Sequence, residues 1–224
     1  AAPKCGPTAS LAAPNKSLTM RISERAERIE PFWVMEVAKA ASHKAREVAH
    51  TDRPVVFLNI GEPDFTAPPR VQAAAQAVVA SGQTQYTPAL GLDALRQAIS
   101  GWYAQRFGVQ VPASRIVVTA GASAALQLAC LALIDRGDEI LMPDPSYPCN
   151  RHFVSAAEGT AVLLPTTAEE RFQLSAAKVA AAWGAHTRGV LLASPSNPTG
   201  TSIDPAELAR IIAVVRSHGG ITLI

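Results

Sequence analysis

The sequence predicts an α/β fold: a three-layer α/β/α arrangement around a mainly parallel sheet, preceded by an N-terminal helical segment. In the C-terminal half, short and continuously apolar segments alternate with longer helical patterns, which is typical of parallel strands covered on both faces. Hydrophobic residues make up 48% of the 224-residue chain, enough to bury a sizeable core. We expect a disordered extension over residues 1–19, a helical segment over residues 20–65 and one α/β domain over residues 66–224.

The N-terminal half is predicted to be mostly helical. One or two helices are expected within Arg21–His50, followed by a short strand at Val55–Ile60 and a turn. Further helices are expected at Pro69–Ser81 and Leu92–Phe107, because each segment has apolar residues at helical spacing and is followed by a glycine that can end a helix.

The C-terminal half alternates between strands and helices. The predicted strands are Ile116–Thr119, Glu139–Met142, Thr160–Leu164, Val190–Ala193 and Ile221–Ile224. The predicted helices are Ser123–Ile134, Cys149–Ala157, Ser175–Trp183 and Ala206–Ser217. Open α/β sheets bind ligands beyond the carboxyl ends of their strands, so the loops that follow the strands are the places to look for a site.

Two of these loops are made rigid by proline and carry one distinctive side chain each. The loop Ser194–Gly200 contains two prolines, either of which could follow a cis peptide bond, and Asn197 is the side chain that it would aim. The loop Pro143–Pro148 holds Tyr147 between prolines, and a fixed ring at a strand end can stack on a planar ligand. The alternatives are an ordinary strand-to-helix turn for the first loop and a tyrosine that covers a core edge for the second.

A third loop, Thr119–Leu126, resembles an anion site. Gly121 permits a tight turn, and the backbone amides of Ala122 and Ser123 open the following helix. Amides at a helix N-terminus, together with the helix dipole, favour negative charge. An ordinary helix N-cap is the alternative explanation.

Charge and cysteine content exclude several function classes. The formal net charge is only +2, which gives no electrostatic reason to expect nucleic acid or an acidic membrane as partner. Cys5, Cys130 and Cys149 are too widely spaced for a disulfide framework or a zinc motif, and the five histidines are scattered. We therefore expect a cytoplasmic protein without a bound metal and without a membrane-spanning segment.

Taken together, five segments resemble the class I/II group of fold-type I aminotransferases that use pyridoxal 5′-phosphate. They occur in that family's order and at its usual separations, and the resemblance extends from about residue 20 to the end. The segments are Asn59–Phe65, Tyr86–Gly91, Thr119–Leu126, Pro143–Pro148 and Ser194–Gly200. The resemblance implies that residues 20–65 belong to a small domain, that residues 66–224 are part of the cofactor-binding large domain, and that the complete protein is a homodimer.

The resemblance also implies a role for individual residues in binding the cofactor. Gly121, Ala122 and Ser123 would cradle its phosphate, while Tyr147 would stack on its pyridine ring. Asn197 would donate a hydrogen bond to the 3′-oxygen of the cofactor and would also contact substrate.

Two further residues carry implied roles at the edge of the site. Tyr86 would reach the phosphate of the partner subunit across the dimer interface. Gly61 would line the substrate pocket through its backbone, near the substrate carboxylate. The substrates implied are an amino acid and a 2-oxo acid.

The resemblance implies that three further residues are needed for catalysis and that they follow a strand like Ile221–Ile224. These are an aspartate, the lysine that binds the cofactor covalently, and an arginine for the substrate carboxylate. None of the five lysines lies in a matching context; they are Lys4, Lys16, Lys39, Lys44 and Lys178. We therefore assign no catalytic residue and expect the chain alone to be inactive.

Other functions remain open under the same resemblance. A carbon–sulfur lyase or another α-carbon reaction could use the same scaffold, and a non-catalytic truncated remnant is the alternative from a different class. The family's sheet also has two strands between those matching Ile116–Thr119 and Ile221–Ile224, so Ile116–Thr119 should lack its sheet neighbours here.

Overall fold

The computed structural model describes residues 21–224, so the extension expected over residues 1–19 lies outside the described part of the chain. The N-terminal half contains helices α1 (Glu24–Glu27), α2 (Trp33–Glu47), α3 (Pro69–Ala80) and α4 (Asp93–Phe107). A 3₁₀ turn follows at Ala113–Arg115. These bounds confirm the helices predicted from sequence to within a few residues, with two helices formed inside Arg21–His50.

The C-terminal half has the alternating order that the sequence predicts. Its helices are α5 (Gly121–Leu133), α6 (Cys149–Ala156), α7 (Ala176–Ala182) and α8 (Pro205–Ser217). Its strands are β1 (Glu139–Asp144), β2 (Thr160–Pro165), β3 (Thr187–Leu191) and β4 (Ile221–Leu223). The four strands form one parallel sheet in the order β2-β1-β3-β4.

Local sequence explains where two helices of this half begin. Asp204 caps α8 by accepting hydrogen bonds from the N–H groups of Ala206 (2.9 Å) and Glu207 (3.1 Å), with Pro205 as the first helical residue. Ser175 caps α7 in the same way, accepting from Lys178 N at 3.1 Å. Such caps satisfy amides that have no partner inside the helix.

Two apolar layers cover the two faces of the sheet. Successive strand residues point to opposite faces, so Leu141 and Val190 contribute to one layer while Ile140 and Met142 contribute to the other. The first layer is completed by buried residues of α7 and α8, and the second by buried residues of α5 and α6. This arrangement confirms the three-layer α/β/α prediction.

The pairing of β3 with β4 depends on a glycine. Gly189 lies opposite Ile221 in the register, and a Cβ atom at residue 189 would lie 2.2 Å from the carbonyl oxygen of Ile221. The two backbones therefore approach more closely here than any other residue would permit.

Two predicted strands are wrong. Val55–Ile60 forms no strand, and its last two residues lie in a bend. Ile116–Thr119 also lies outside the sheet, although the backbone of Ile116 is extended. Val118 N donates to Leu90 O at 3.1 Å, and the Val117 side chain is exposed. Apolar composition favours a strand, but a strand forms only where a second strand pairs with it, and neither segment has such a partner in residues 21–224. For Ile116–Thr119 this agrees with the absence of sheet neighbours expected above.

Candidate functional site

A cavity of about 530 Å³ opens at the carboxyl edge of the sheet. It lies between the N-terminal segment and the loops that follow β1 and β3. Its lining includes three residues that the sequence predicted for the site, namely Gly61, Tyr147 and Asn197. The other lining residues are Phe32, Val34, Met35, Asn59, Ile60, Ser146, Pro148 and Pro198. The lining is therefore largely apolar, and it also presents a phenol, a hydroxyl and two side-chain amides.

Tyr147 is held in a partly buried position in the loop that follows β1. The ring of Phe32 meets it edge to face, with centroids 6.1 Å apart and planes at 81°. The thiol of Cys149 beside the hydroxyl raises the pKa of Tyr147, and partial burial raises this pKa further. The side chain thus remains a neutral phenol, with its ring fixed in the cavity wall.

Asn197 lies in a loop that closes on itself. Gly200 N donates to Ser196 O at 2.7 Å, and Ser196 N donates to Thr201 O at 2.8 Å. Ser196 is buried whereas Asn197 is exposed, so the loop presents the amide outward. The peptide bonds Ser194–Pro195 and Asn197–Pro198 are both cis, as considered from the sequence.

The start of α5 presents free amides to solvent. The helix begins at Gly121, whose φ is +81°, and an added Cβ there would meet no atom within 4 Å. The preceding residue, Ala120, makes no side-chain cap, so the ordinary N-cap considered from the sequence is not formed. Ala122 N and Ser123 N donate to no acceptor outside the helices in the described chain, and first-turn amides have none within a helix. These residues are not part of the cavity lining.

Tyr86 is fully exposed and also lies outside the cavity lining. The other end of its loop is anchored, since Leu90 O accepts from Val118 N. Gly91 adopts φ +93°, and a Cβ there would lie 2.6 Å from the Val118 side chain. The loop is therefore packed at Gly91 and open to solvent at Tyr86.

The lysines of residues 21–224 lie away from the cavity. Lys39 and Lys44 pair with glutamates on α2. Lys178 on α7 donates to Pro165 O at 2.7 Å and pairs with Glu170. None of them lines the cavity, so no covalent attachment point for a carbonyl cofactor lies in the wall that the described residues form.

Sequence reasoning missed two contributors to the site. Phe32 has no site role in the sequence prediction, yet it meets Tyr147 edge to face across a separation of more than one hundred residues. Cys149 is likewise predicted to have no role in the site, yet its thiol raises the Tyr147 pKa. The one signal available for the second contact was that Cys149, at the start of a predicted helix, is close to Tyr147 in the sequence.

Residues 21–224 lack two further features that would indicate a function. No group of three or more histidine, cysteine, aspartate or glutamate side chains within this range is arranged to hold a metal ion. No helix within the same range has the length and apolar character required to cross a membrane.

Comparisons with known proteins agree with the geometry. A family model described as aminotransferase class I and II matches residues 53–224. The valine–pyruvate aminotransferase of Mycobacterium tuberculosis is 42% identical over 194 residues, which are 87% of this chain and 48% of that protein. An aspartate aminotransferase of Rhizobium meliloti is 34% identical over 199 residues, covering 89% of this chain and 48% of that protein.

Solved structures show the same coverage. An aminotransferase from Mycobacterium tuberculosis superimposes with a TM-score of 0.83 at 39% identity, over 91% of this chain and 51% of that one. The aspartate aminotransferase from Rhizobium meliloti also gives a TM-score of 0.83, at 32% identity. The chain thus spans about half the length of these relatives.

Proposed function

Because the chain belongs to the class I and II aminotransferase family, we propose that it forms the part of such an enzyme that binds pyridoxal 5′-phosphate. The complete enzyme would move an amino group from an amino acid to a 2-oxo acid. The observation that carries the proposal is the cavity that brings Gly61, Tyr147 and Asn197 together at the carboxyl edge of the sheet.

The residues present fit the chemistry of this cofactor. A phosphate requires several converging N–H donors, and α5 offers the unpaired amides of Ala122 and Ser123 behind the open Gly121 turn. A planar pyridine ring requires a flat partner, which the fixed ring of Tyr147 supplies. A phenolic oxygen requires a donor, which the exposed amide of Asn197 supplies.

When bound, pyridoxal 5′-phosphate supplies an electron sink for reactions at the α-carbon of an amino acid. The contribution of this chain is to bind and orient. Tyr147 limits rotation of the ring, and Asn197 donates to its oxygen. Gly61 would present backbone groups to the substrate carboxylate, and the apolar side chains of Met35 and Ile60 lie in the same cavity lining.

The substrates are proposed as a class. The relatives carry names that refer to valine and pyruvate or to aspartate, and the chemistry common to these names is an α-amino acid paired with a 2-oxo acid. The reacting lysine would come from residues beyond the described segment, because Lys39, Lys44 and Lys178 lie away from the cavity. The chain alone would accordingly bind cofactor without completing a turnover.

Dimerisation and location belong to the same proposal. Tyr86 is fully exposed at the open end of its loop, a position from which it could reach the phosphate site of a second copy in a homodimer. Cys130 and Cys149 are free thiols, which agrees with a reducing cytoplasm.

The test is a titration of the chain with pyridoxal 5′-phosphate. Replacing Tyr147 with alanine is expected to weaken binding about fivefold, because the stacking surface is lost. The matched control Tyr147→Phe keeps the ring and should retain most of the affinity. Equal affinity for Tyr147→Ala and the unaltered chain would contradict the proposed site.

A second readout examines the covalent chemistry. Borohydride treatment of the loaded chain, followed by peptide mass analysis, should reveal no cofactor-labelled lysine within residues 21–224. A labelled Lys39, Lys44 or Lys178 would show that the reacting lysine lies in this segment after all.

A further inference from the structure

A buried glutamine joins both ends of the loop that presents Asn197. Gln173 is only 6% exposed. Its Nε2 group donates to Thr201 O at 2.8 Å and lies 3.4 Å from Ala193 O, so that one amide reaches the residues before and after the loop. We propose that Gln173 is a positioning residue that fixes Asn197 for contact with the cofactor. This inference rests on the proposed function.

A second connection reinforces the first. The hydroxyl of Thr201 donates to Arg171 O at 2.6 Å, lies 2.8 Å from Thr199 Oγ1 and accepts from Gln173 Nε2 at 3.3 Å. Since a hydroxyl has one proton to donate, Thr199 is the donor in its pair with Thr201. We call Arg171, Gln173 and Thr201 together the clasp.

The turn that carries Arg171 and Gln173 is held in an unusual conformation. Arg171 and Phe172 have φ values of 56° and 52°, in the left-handed region that residues other than glycine rarely occupy. Hydrogen bonds from Phe172 N to Thr167 O (2.8 Å) and from Gln173 N to Glu170 O (3.1 Å) close the turn. A left-handed conformation of this kind persists only where the surrounding structure holds it in place. Here the turn places Gln173 in the interior.

The chemistry of Gln173 argues against a role in packing alone. Its Oε1 atom is buried without a hydrogen-bond partner, which an apolar side chain of similar size would avoid. Flipping the amide would place that oxygen against three oxygen acceptors, at Ala193, Thr201 O and Thr201 Oγ1, so the donor side must face the loop. The role of the Gln173 amide therefore lies in the hydrogen bonds that its nitrogen donates to the ends of the loop.

Gln173 acts on the site only through the loop. It does not line the cavity, whereas Asn197 does. Within the loop, the bond from Gly200 N to Ser196 O links the two sides of the tip, but Gln173 connects its ends to the protein body. Loss of Gln173 should leave the tip formed while allowing it to shift relative to Tyr147.

The experiment uses the full chain labelled with ¹⁵N, and pyridoxal 5′-phosphate and inorganic phosphate as separate probes. In the unaltered chain, the side-chain amide signal of Asn197 should shift as pyridoxal 5′-phosphate is added. In Gln173→Met, this shift should be lost and pyridoxal 5′-phosphate affinity should fall about fivefold, with faster hydrogen exchange at Ser196 N. Affinity for inorganic phosphate, which tests the α5 amides alone, should remain the same.

Three further variants complete the test. Thr201→Val should weaken the Asn197 amide shift and the affinity for pyridoxal 5′-phosphate, as Gln173→Met does. Thr201→Ser should retain the Asn197 amide shift, because serine keeps the hydroxyl. Gln72→Met is the matched control, since Gln72 donates to a backbone carbonyl (Ala67 O, 2.6 Å) outside the cavity lining and its loss should leave Asn197 unaffected.

The results separate two failures. An Asn197 response that persists unchanged in Gln173→Met overturns the positioning role alone. So does an equal loss of affinity for both probes, because it indicates general disruption. If the Asn197 amide signal does not shift when pyridoxal 5′-phosphate is added to the unaltered chain, the proposed function and the positioning role are both overturned. Hydrogen exchange at Ser196 N then reports only whether the clasp holds the loop.

Discussion

The substitution Gly189→Ala gives the sharpest test of how the sheet is assembled. The added Cβ would lie 2.2 Å from Ile221 O and 2.5 Å from the Ile221 side chain. The closest atom belongs to the backbone, so no rotamer change relieves the overlap, and β4 would have to move by about 1 Å. Overpacking of a core typically destabilises a protein by 1–3 kcal/mol. For Gly189→Ala we expect a loss of about 3 kcal/mol in the free energy of unfolding, because the backbone of β4 has to move.

The assay is urea denaturation of the chain, followed by circular dichroism, with the free energy of unfolding obtained by linear extrapolation. The matched control is Gly101→Ala in α4, where an added Cβ meets no atom within 4 Å. Alanine is the better helix former, so Gly101→Ala should stabilise the chain by about 0.5–1 kcal/mol. If Gly189→Ala changes the free energy of unfolding by less than about 0.5 kcal/mol, a range typical of surface substitutions, the close approach of β3 and β4 is refuted.

Two further predictions concern titration. The Arg136 guanidinium hydrogen-bonds Glu158 and lowers the pKa of its carboxyl group, with smaller contributions from Arg25 and Arg28. The ion pair therefore stabilises the fold above the ordinary glutamate pKa, and this stabilisation is lost as the pH falls through the pKa of Glu158 in the folded chain. The difference in melting temperature between the unaltered chain and Arg136→Gln should shrink on acidification, and a constant difference would contradict this. In Cys149→Ala, the Tyr147 pKa should fall toward its ordinary value, because the hydrogen-bonding thiol is the largest cause of the raised pKa. Ultraviolet titration measures the Tyr147 pKa. An unchanged pKa in this variant would mean that burial, and not the thiol, raises it.

The helices and the four-stranded sheet could be predicted from the sequence because periodicity and capping residues are local signals. Val55–Ile60 and Ile116–Thr119 have the composition of strands as well, but pairing depends on neighbours that composition does not reveal. The proposed division at residues 65/66 stays a prediction, as do the roles of individual residues in cofactor binding.

The site was predictable where proline and glycine punctuate the chain. Tyr147 and Asn197 lie in loops marked by proline, and both line the same cavity. Gln173 could not be found, because two of its three acceptors are backbone carbonyls, 20 and 28 residues away, and a backbone acceptor leaves no trace in residue type. Phe32 was missed for a related reason, since contact with Tyr147 depends on tertiary packing.

The strand order β2-β1-β3-β4 has a consequence for where a ligand can enter. The chain leaves β1 toward α6 on one face of the sheet, and it leaves β3 toward α8 on the other face. Adjacent loops that depart in opposite directions separate at their bases, which makes a topological switch point with a crevice between them. Tyr147 follows β1 and Asn197 follows β3, so the crevice between these loops results from the winding of the chain itself.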